Sequence, residues 1–378
     1  MNKRYGLMTA VTMIVGIVVG SGIFFKSTDI LQKTEGNITL AVLVFIIGAV
    51  SIVFGSLSMS ELALRTDKPG GIVTYFEEFV GGKTAAGFGW FQTFVYMPTI
   101  VIVVATVGSR FIGVLFGADF TVGQEILVGV ALVTLLFACN ILSAKAGGWM
   151  QNISTVIKFL PLLLLSLAGI FWGDPQVFTP ELAQPAVRSA GWLTALAPMA
   201  FSYDGWVITT TIAHEVKNSK KNMPLALSIA PLLVLGIYLL YFLGLTNMLG
   251  VDVILSMDGS FAAMLAAERI FGSLGGKLIV ILIIVAIFGT VNGCVLGCIR
   301  MPYSMATKDM FFRSDLFERQ NKKLGMPVNS GICSYIICLV WFAVHYLASE
   351  FALLPGSDVS EIAIITSYAL YAVLYVKV

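Results

Sequence analysis

The chain reads as an all-α integral membrane protein of ten helical spans, arranged as two five-span halves of opposite orientation. Three observations lead there. Of 378 residues, 58% are hydrophobic and only 12% are charged, about half the charged share of a soluble domain, and the mean hydropathy is +0.92. The apolar residues gather in runs long enough to cross a bilayer, which takes about 20 residues as a helix. The first helix of each half is interrupted near its middle, by Gly20-Ser21-Gly22 in one and by Asp204-Gly205 in the other.

Uncharged runs at 5–25, 36–60, 84–109, 126–144, 222–251, 278–299 and 324–349 supply spans 1, 2, 3, 4, 7, 8 and 9. Span 5 covers 146–173 and is apolar apart from Lys158. Span 6 covers 189–214 and is apolar apart from Asp204, while span 10 is the shorter run 362–376. Charge supports the count. With the N-terminus inside, the cytoplasmic face collects Lys3, Arg4, Arg65, Lys68, Lys83, Lys145, Lys217, Lys220, Lys221, Arg300 and the basic residues from 308 to 323. The outer face holds only Lys26, Lys33, Arg110, Arg188, Arg269 and Lys277. Cytoplasmic loops of membrane proteins carry this excess of Lys and Arg, and a miscounted helix would scramble it.

The long connections are two outer loops, 174–188 and 252–277, and a charged inner link, 305–323. Within the second outer loop, "SFAAMLAAERIFG" has helical periodicity and is expected to lie against the outer face. No separate soluble domain fits. The expected organisation is one transmembrane domain over 1–378, with a first repeat at 6–173 and an inverted second repeat at 189–378.

Several classes are excluded. The net charge of +2 comes with no basic run suited to a nucleic-acid groove. The cysteines (Cys139, Cys294, Cys298, Cys333, Cys338) lie in apolar stretches, and His214 and His345 are the sole histidines. No metal spacing results, no cofactor is implied, and the thiols read as small buried hydrophobes. The basic start followed by an apolar run lacks a small-residue cleavage site, so it is not a signal peptide. A membrane enzyme would place a catalytic constellation at one membrane face. The adjacent His214-Glu215 has no such companions and reads as helix-end polarity, so no catalytic residue is assigned. A channel would show pore-lining rings rather than paired broken helices.

The breaks carry the chemistry. Backbone groups in a bilayer must be satisfied internally, so irregular backbone survives only where protein or a wet cavity covers it. Interrupted helices at matching positions of two halves point to a transporter's binding site. Because the first half starts inside and the second outside, the repeats are inverted, which describes the LeuT-type fold. A broken helix offers free N–H groups, positive in partial charge, at the start of its second piece, and free C=O groups at the end of its first. The ligand that matches both is a zwitterionic α-amino acid. Its carboxylate is expected on the amides of Ser21, Gly22 and Ile23, with the Ser21 hydroxyl. Its ammonium is expected near the carbonyls of Val18, Val19 and Phe201, with Asp204 in reach. Taken alone, Gly-Ser-Gly reads equally as a helix-packing motif; the partner break at Tyr203-Asp204-Gly205 favours binding. Asp204 also reads as a cap on the second half-helix.

Lys158 lies about twelve residues from either end of its span, roughly 18 Å along the axis, too far to snorkel. It is expected to face the bundle interior and to occupy the place of a sodium ion, with pairing at a lipid-facing interface as the plainer alternative. Aromatic Phe201, Tyr203 and Trp206 crowd span 6, so a small or medium neutral amino acid is expected rather than a cationic one.

Several stretches, in order, resemble the amino acid–polyamine–organocation superfamily, and within it the L-amino acid transporter group. They are "GSGIF" (20–24), "PGGIVTYFEEFVG" (69–81), "FSYDGW" (201–206), "HEVKNSKKNMP" (214–224), "GTVNG" (289–293) and "RMPYSMA" (300–306). The resemblance implies a sodium-independent carrier of neutral L-amino acids in the cell membrane, usually an exchanger, with proton-coupled symport or cationic amino acid and polyamine carriage as alternatives. It implies that Ser21 and Gly22 are carboxylate-binding positions, with Val19, Gly20 and Ile23 beside them in the substrate site. Phe201, flanked by Ser202, Tyr203, Asp204 and Gly205, is implied as an aromatic gate. Lys158 is implied as the sodium substitute, with the Thr290 hydroxyl as one partner and the carbonyl of Gly20 or a neighbour as another, and Tyr241, or with less support Tyr238, as a contribution from span 7. Family members usually have twelve spans, and the expectation from this sequence is the ten of the repeat core, without spans 11 and 12. The loop near 116–124, "FGADFTVGQ", has no cysteine, so no heavy-chain partner is expected, and the resemblance is to prokaryotic members.

Overall fold

The computed structural model describes residues 6–66, 71–174, 190–207, 216–257, 259–321, 324–354 and 358–378. Among them regular structure is helical, with one isolated bridge between Asn321 and Met326. Seven helices are long and apolar enough to cross a membrane. These are span 2 (Ile38–Arg65), span 3 (Gly82–Phe116), span 4 (Val122–Leu142), span 5 (Gly147–Trp172), span 7 (Ser219–Leu249), span 8 (Phe261–Ala306) and span 9 (Val328–Glu350). Span 1 is the bent pair Leu7–Val18 and Ile23–Lys33, turned by 65°, and span 10 is the shorter helix Val359–Tyr375. Span 6 begins with a 3-10 turn, Gly191–Ala195, and the helix Leu196–Ser202. Residues 208–215, including His214 and Glu215, lie outside the described residues, as does most of the outer loop before span 6.

One boundary departs from the hydropathy reading. Span 1 does not end at residue 25; its second piece continues to Lys33 and places Lys26 inside a helix rather than in an outer loop. The stretch "SFAAMLAAERIFG" is helical, as its periodicity predicts, and this helix meets span 8 at a kink at Gly272 (φ 69°, ψ −178°). A charge ends an apolar run, but a helix ends at a cap or a breaker.

Proline explains the internal irregularities, because it has no N–H for the carbonyl four residues back. Pro161 leaves the Ile157 carbonyl without its usual donor, and span 5 divides there into Ala144–Ile157 and Phe159–Trp172, with Lys158 at the joint. Pro98 frees the Phe94 carbonyl after a π-turn at Gln92–Tyr96, and Trp341 Nε1 donates to it at 2.6 Å. Pro302 frees the Cys298 carbonyl, to which Ser334 donates at 2.7 Å. Ser330 enters the same ladder, accepting from the Tyr303 N–H at 3.1 Å and donating to Ile299 at 2.6 Å. Span 9 thus repairs the backbone of span 8, as a membrane interior requires.

The chain forms two compact units, each drawing helices from both halves of the sequence. The first comprises Met1–Val80, Phe159–Val280 and Tyr371–Val378. Here span 7 packs on span 1, span 2 and the second piece of span 5. Spans 5 and 7 meet backbone to backbone, so that a Cβ on Gly169 would collide with Gly244. The second unit comprises Gly81–Lys158 and Ile281–Leu370. Spans 3, 4 and 9 pack together in it. A buried amide network also ties span 4 to spans 5 and 8. Asn140 donates to Asn292 at 2.8 Å, and Asn292 donates to the Gly147 carbonyl at 3.0 Å.

Candidate functional site

The first piece of span 1 ends where the Val19 amide reaches the Val15 carbonyl at 2.9 Å. The ladder restarts only at Phe24, whose amide reaches Ser21 at 3.1 Å, followed by Phe25 and Lys26, both bonded to Gly22. The amides of Ser21, Gly22 and Ile23 therefore stand at the start of the second piece, where helical N–H groups have no intrahelical acceptor. Ser21 is fully buried, and its Oγ has no hydrogen-bond partner among the described residues. A buried hydroxyl without a partner is costly unless something else supplies one.

The span 6 break lies against this segment. Helix Leu196–Ser202 ends in turns, with the Tyr203 amide on Met199 and the Asp204 amide on Phe201, both at 3.2 Å. Gly205 takes φ +93°, which L side chains rarely adopt, and the chain turns there beside Ile17. Phe201 presses its ring on Gly22. A Cβ at Gly22 would sit 3.0 Å from Cδ1 and 3.1 Å from Cε1 of that ring, and 3.4 Å from the Ser202 Cα. Gly22 itself has ordinary helical angles, φ −54° and ψ −40°, so what a side chain here would meet is the close approach of the ring, not backbone strain.

One tyrosine joins the two breaks. The Tyr238 hydroxyl lies 2.8 Å from the Ser202 carbonyl and 3.2 Å from the Val18 carbonyl. Tyr238 is wholly buried, its ring 5.1 Å from that of Tyr203, and the Tyr203 hydroxyl donates to the Phe45 carbonyl at 3.2 Å. Tyr241 is one turn further along span 7. Its ring meets Phe24 edge-on at 5.6 Å, and its hydroxyl is buried without a partner among the described residues.

The structure therefore brings Val19, Gly20, Ser21, Gly22 and Ile23 together with Phe201, Ser202, Tyr203, Asp204 and Gly205, with Tyr238 hydrogen-bonded at both breaks and Tyr241 beside it on span 7. Periodicity ranks two tyrosines three residues apart poorly, because both lie within one helical face. Lys158 belongs to the second compact unit, buried at the joint of span 5, and its amide bonds to Ser154 at 3.0 Å. Thr290, in the same unit, donates to the Ala286 carbonyl at 3.1 Å. Lys26 was missed at the site. It is only 4% exposed, with its ammonium 5.1 Å from the centre of the Phe201 ring. The available signal was its spacing, four residues after Gly22 and hence on the same face. Among the described residues no cluster of His, Cys, Asp and Glu is suited to a metal. The arrangement offers amide donors on one side and helix-end carbonyls on the other, a pairing suited to a small zwitterion.

A family model described as "Amino acid permease" matches residues 5–378. The serine/threonine exchanger SteT of Bacillus subtilis is 29% identical over 382 residues, covering 100% of this chain and 83% of SteT. The mouse large neutral amino acids transporter small subunit 2 is 30% identical over 251 residues, 63% of this chain and 46% of that protein, so this match spans under half of the mammalian relative. Among solved structures, MhsT in complex with L-phenylalanine superposes with a TM-score of 0.65 at 13% identity, covering 98% of this chain and 87% of MhsT. At that identity the likeness concerns the fold, which is all-helical and LeuT-like.

Proposed function

Because this chain belongs to the amino acid permease family, we propose that it is a sodium-independent secondary transporter of neutral L-amino acids that works as an exchanger by alternating access. The observation that carries the reading is the meeting of two helix breaks at Tyr238, with the amides of Ser21–Ile23 at the start of their helix and the Ser21 hydroxyl buried without a partner. An amino acid carboxylate answers those donors, and its ammonium answers the carbonyls that close the first piece of span 1 and the helix of span 6. The likeness to a serine/threonine exchanger supports exchange and a small neutral substrate. The aromatic residues Phe201, Tyr203 and Trp206 crowded into span 6 support a neutral side chain over a cationic one.

Lys158 supports independence from sodium. A fixed ammonium buried in span 5 supplies, without a bound ion, a positive charge inside the bundle. The same residue favours a second reading, proton-coupled symport, because a lysine within a membrane span is also a group that can give up a proton. In either case the protein is a carrier and not a catalyst, multi-pass in the cell membrane with its N-terminus inside, and it acts without a heavy chain.

Counterflow in proteoliposomes separates these readings. Radiolabelled serine should accumulate, in sodium-free buffer, only when an unlabelled neutral amino acid is trapped inside. Accumulation in empty vesicles driven by a proton gradient would replace exchange with symport. Absence of uptake for every amino acid would overturn both.

A further inference from the structure

The latch on the span 6 aromatic is a lysine that hydropathy places outside the membrane. We propose that Lys26 is a positioning residue whose ammonium, stacked on the face of Phe201, holds that ring over the span 1 break. The inference rests on the reading of that break as the amino acid site.

The geometry defines both ends of the contact. The Lys26 amide bonds to the Gly22 carbonyl at 2.8 Å, so Lys26 sits one helical turn beyond the residue that Phe201 covers. The ring therefore reaches from Gly22, against which it is pressed, to Lys26 Nζ at 5.1 Å from its centre. The Phe25 ring lies 5.5 Å from the same ammonium and meets Phe201 edge-on at 5.6 Å. Asp29, one turn further along, holds Nζ at 3.4 Å from its Oδ2. Asp29 is the more exposed partner, with 36% of its side chain accessible against 5% for Lys26. The pair thus has a wet end and a dry end, and the aromatic face lies at the dry end.

Burying an ammonium is costly, and methionine or leucine would fill the same space without that cost. A cation over a ring face recovers attraction from the ring quadrupole, more so when desolvated. The contact also has direction. It holds only while the ring lies beneath Nζ, which is the orientation in which the ring is pressed on Gly22. When the ring swings away, Asp29 still neutralises the ammonium, so the latch opens without stranding a charge.

The test is a double-mutant cycle on exchange in proteoliposomes. Lys26→Gln should raise the KM for serine about tenfold, within the range of a desolvated cation–π contact, while maximal exchange changes less than twofold. Lys26→Arg, which keeps a cation for the ring, should stay within twofold of the unmodified protein. In a Phe201→Leu background, Lys26→Gln should add nothing. Lys26→Met, of similar volume, replaces the glutamine variant if that one does not fold. Additive effects of the two substitutions, or an arginine variant as impaired as glutamine, would overturn the latch. Failure of the unmodified protein to exchange any amino acid would instead overturn the functional reading beneath it.

Discussion

Tyr238→Phe removes one oxygen and leaves the packing of the ring against Tyr203 and Phe45 in place. A hydroxyl has one proton to donate, and two carbonyls face it here. Ser202 at 2.8 Å is the better placed acceptor, and Val18 at 3.2 Å has the remaining share. Both carbonyls close a helix piece, so neither has an intrahelical donor in reserve. Deleting the hydroxyl therefore strands a buried acceptor, which costs about 1–3 kcal/mol. It also unties the two breaks from each other. If that cost falls on the bound geometry, KM rises about 5- to 150-fold, at about 1.4 kcal/mol for each factor of ten. The assay is serine exchange in proteoliposomes, run beside thermal denaturation in detergent to separate loss of the site from loss of the fold. A KM within twofold of the unmodified protein would refute the argument that this hydroxyl joins the breaks.

Gly22→Ala tests the close approach of Phe201. Helix propensity favours alanine by about 1 kcal/mol, yet the new methyl would stand 3.0 Å from the ring. Thermal stability should change little while exchange falls at least tenfold, and unchanged exchange would show that the ring moves freely. Lys158→Ala should lower exchange at least tenfold in sodium-free buffer, and adding sodium should not restore it; a sodium-dependent rescue would show that the lysine only excludes the ion. Gly169→Val drives a branched side chain into the backbone of span 7 at Gly244. Overpacking of this kind costs about 1–3 kcal/mol or more, so the melting temperature in detergent should fall by several degrees, and an unshifted transition would contradict the close crossing of spans 5 and 7.

Much of the architecture was legible because two strong signals are local. Hydropathy locates most spans, since only long apolar segments survive in a bilayer. Gly-Ser-Gly and Asp-Gly mark the breaks, since those residues favour turns over helix interiors. Other features were hidden for physical reasons. The helix continues through Lys26 because the Phe201 ring of span 6 covers the ammonium and Asp29, one turn on, pairs with it, which no window average registers. The division of span 5 at Lys158 was readable from Pro161 three residues later, but the apolar run around it masked the missing donor. Ser330, Ser334 and Trp341 read as ordinary span 9 residues, yet they satisfy carbonyls and amides that prolines and bulges disturb in spans 8 and 3.

Composition and spacing were sufficient for the class and the two breaks, because each depends on a few consecutive residues or on local composition. Which side chains meet at the breaks was not contained in any such stretch. Tyr238 joins Val18 to Ser202 across separations of 220 and 36 residues, and Lys26 meets a ring far along the chain. Those contacts exist only after spans 1, 6 and 7 have packed, when neighbours are set by helix crossing rather than by order in the chain.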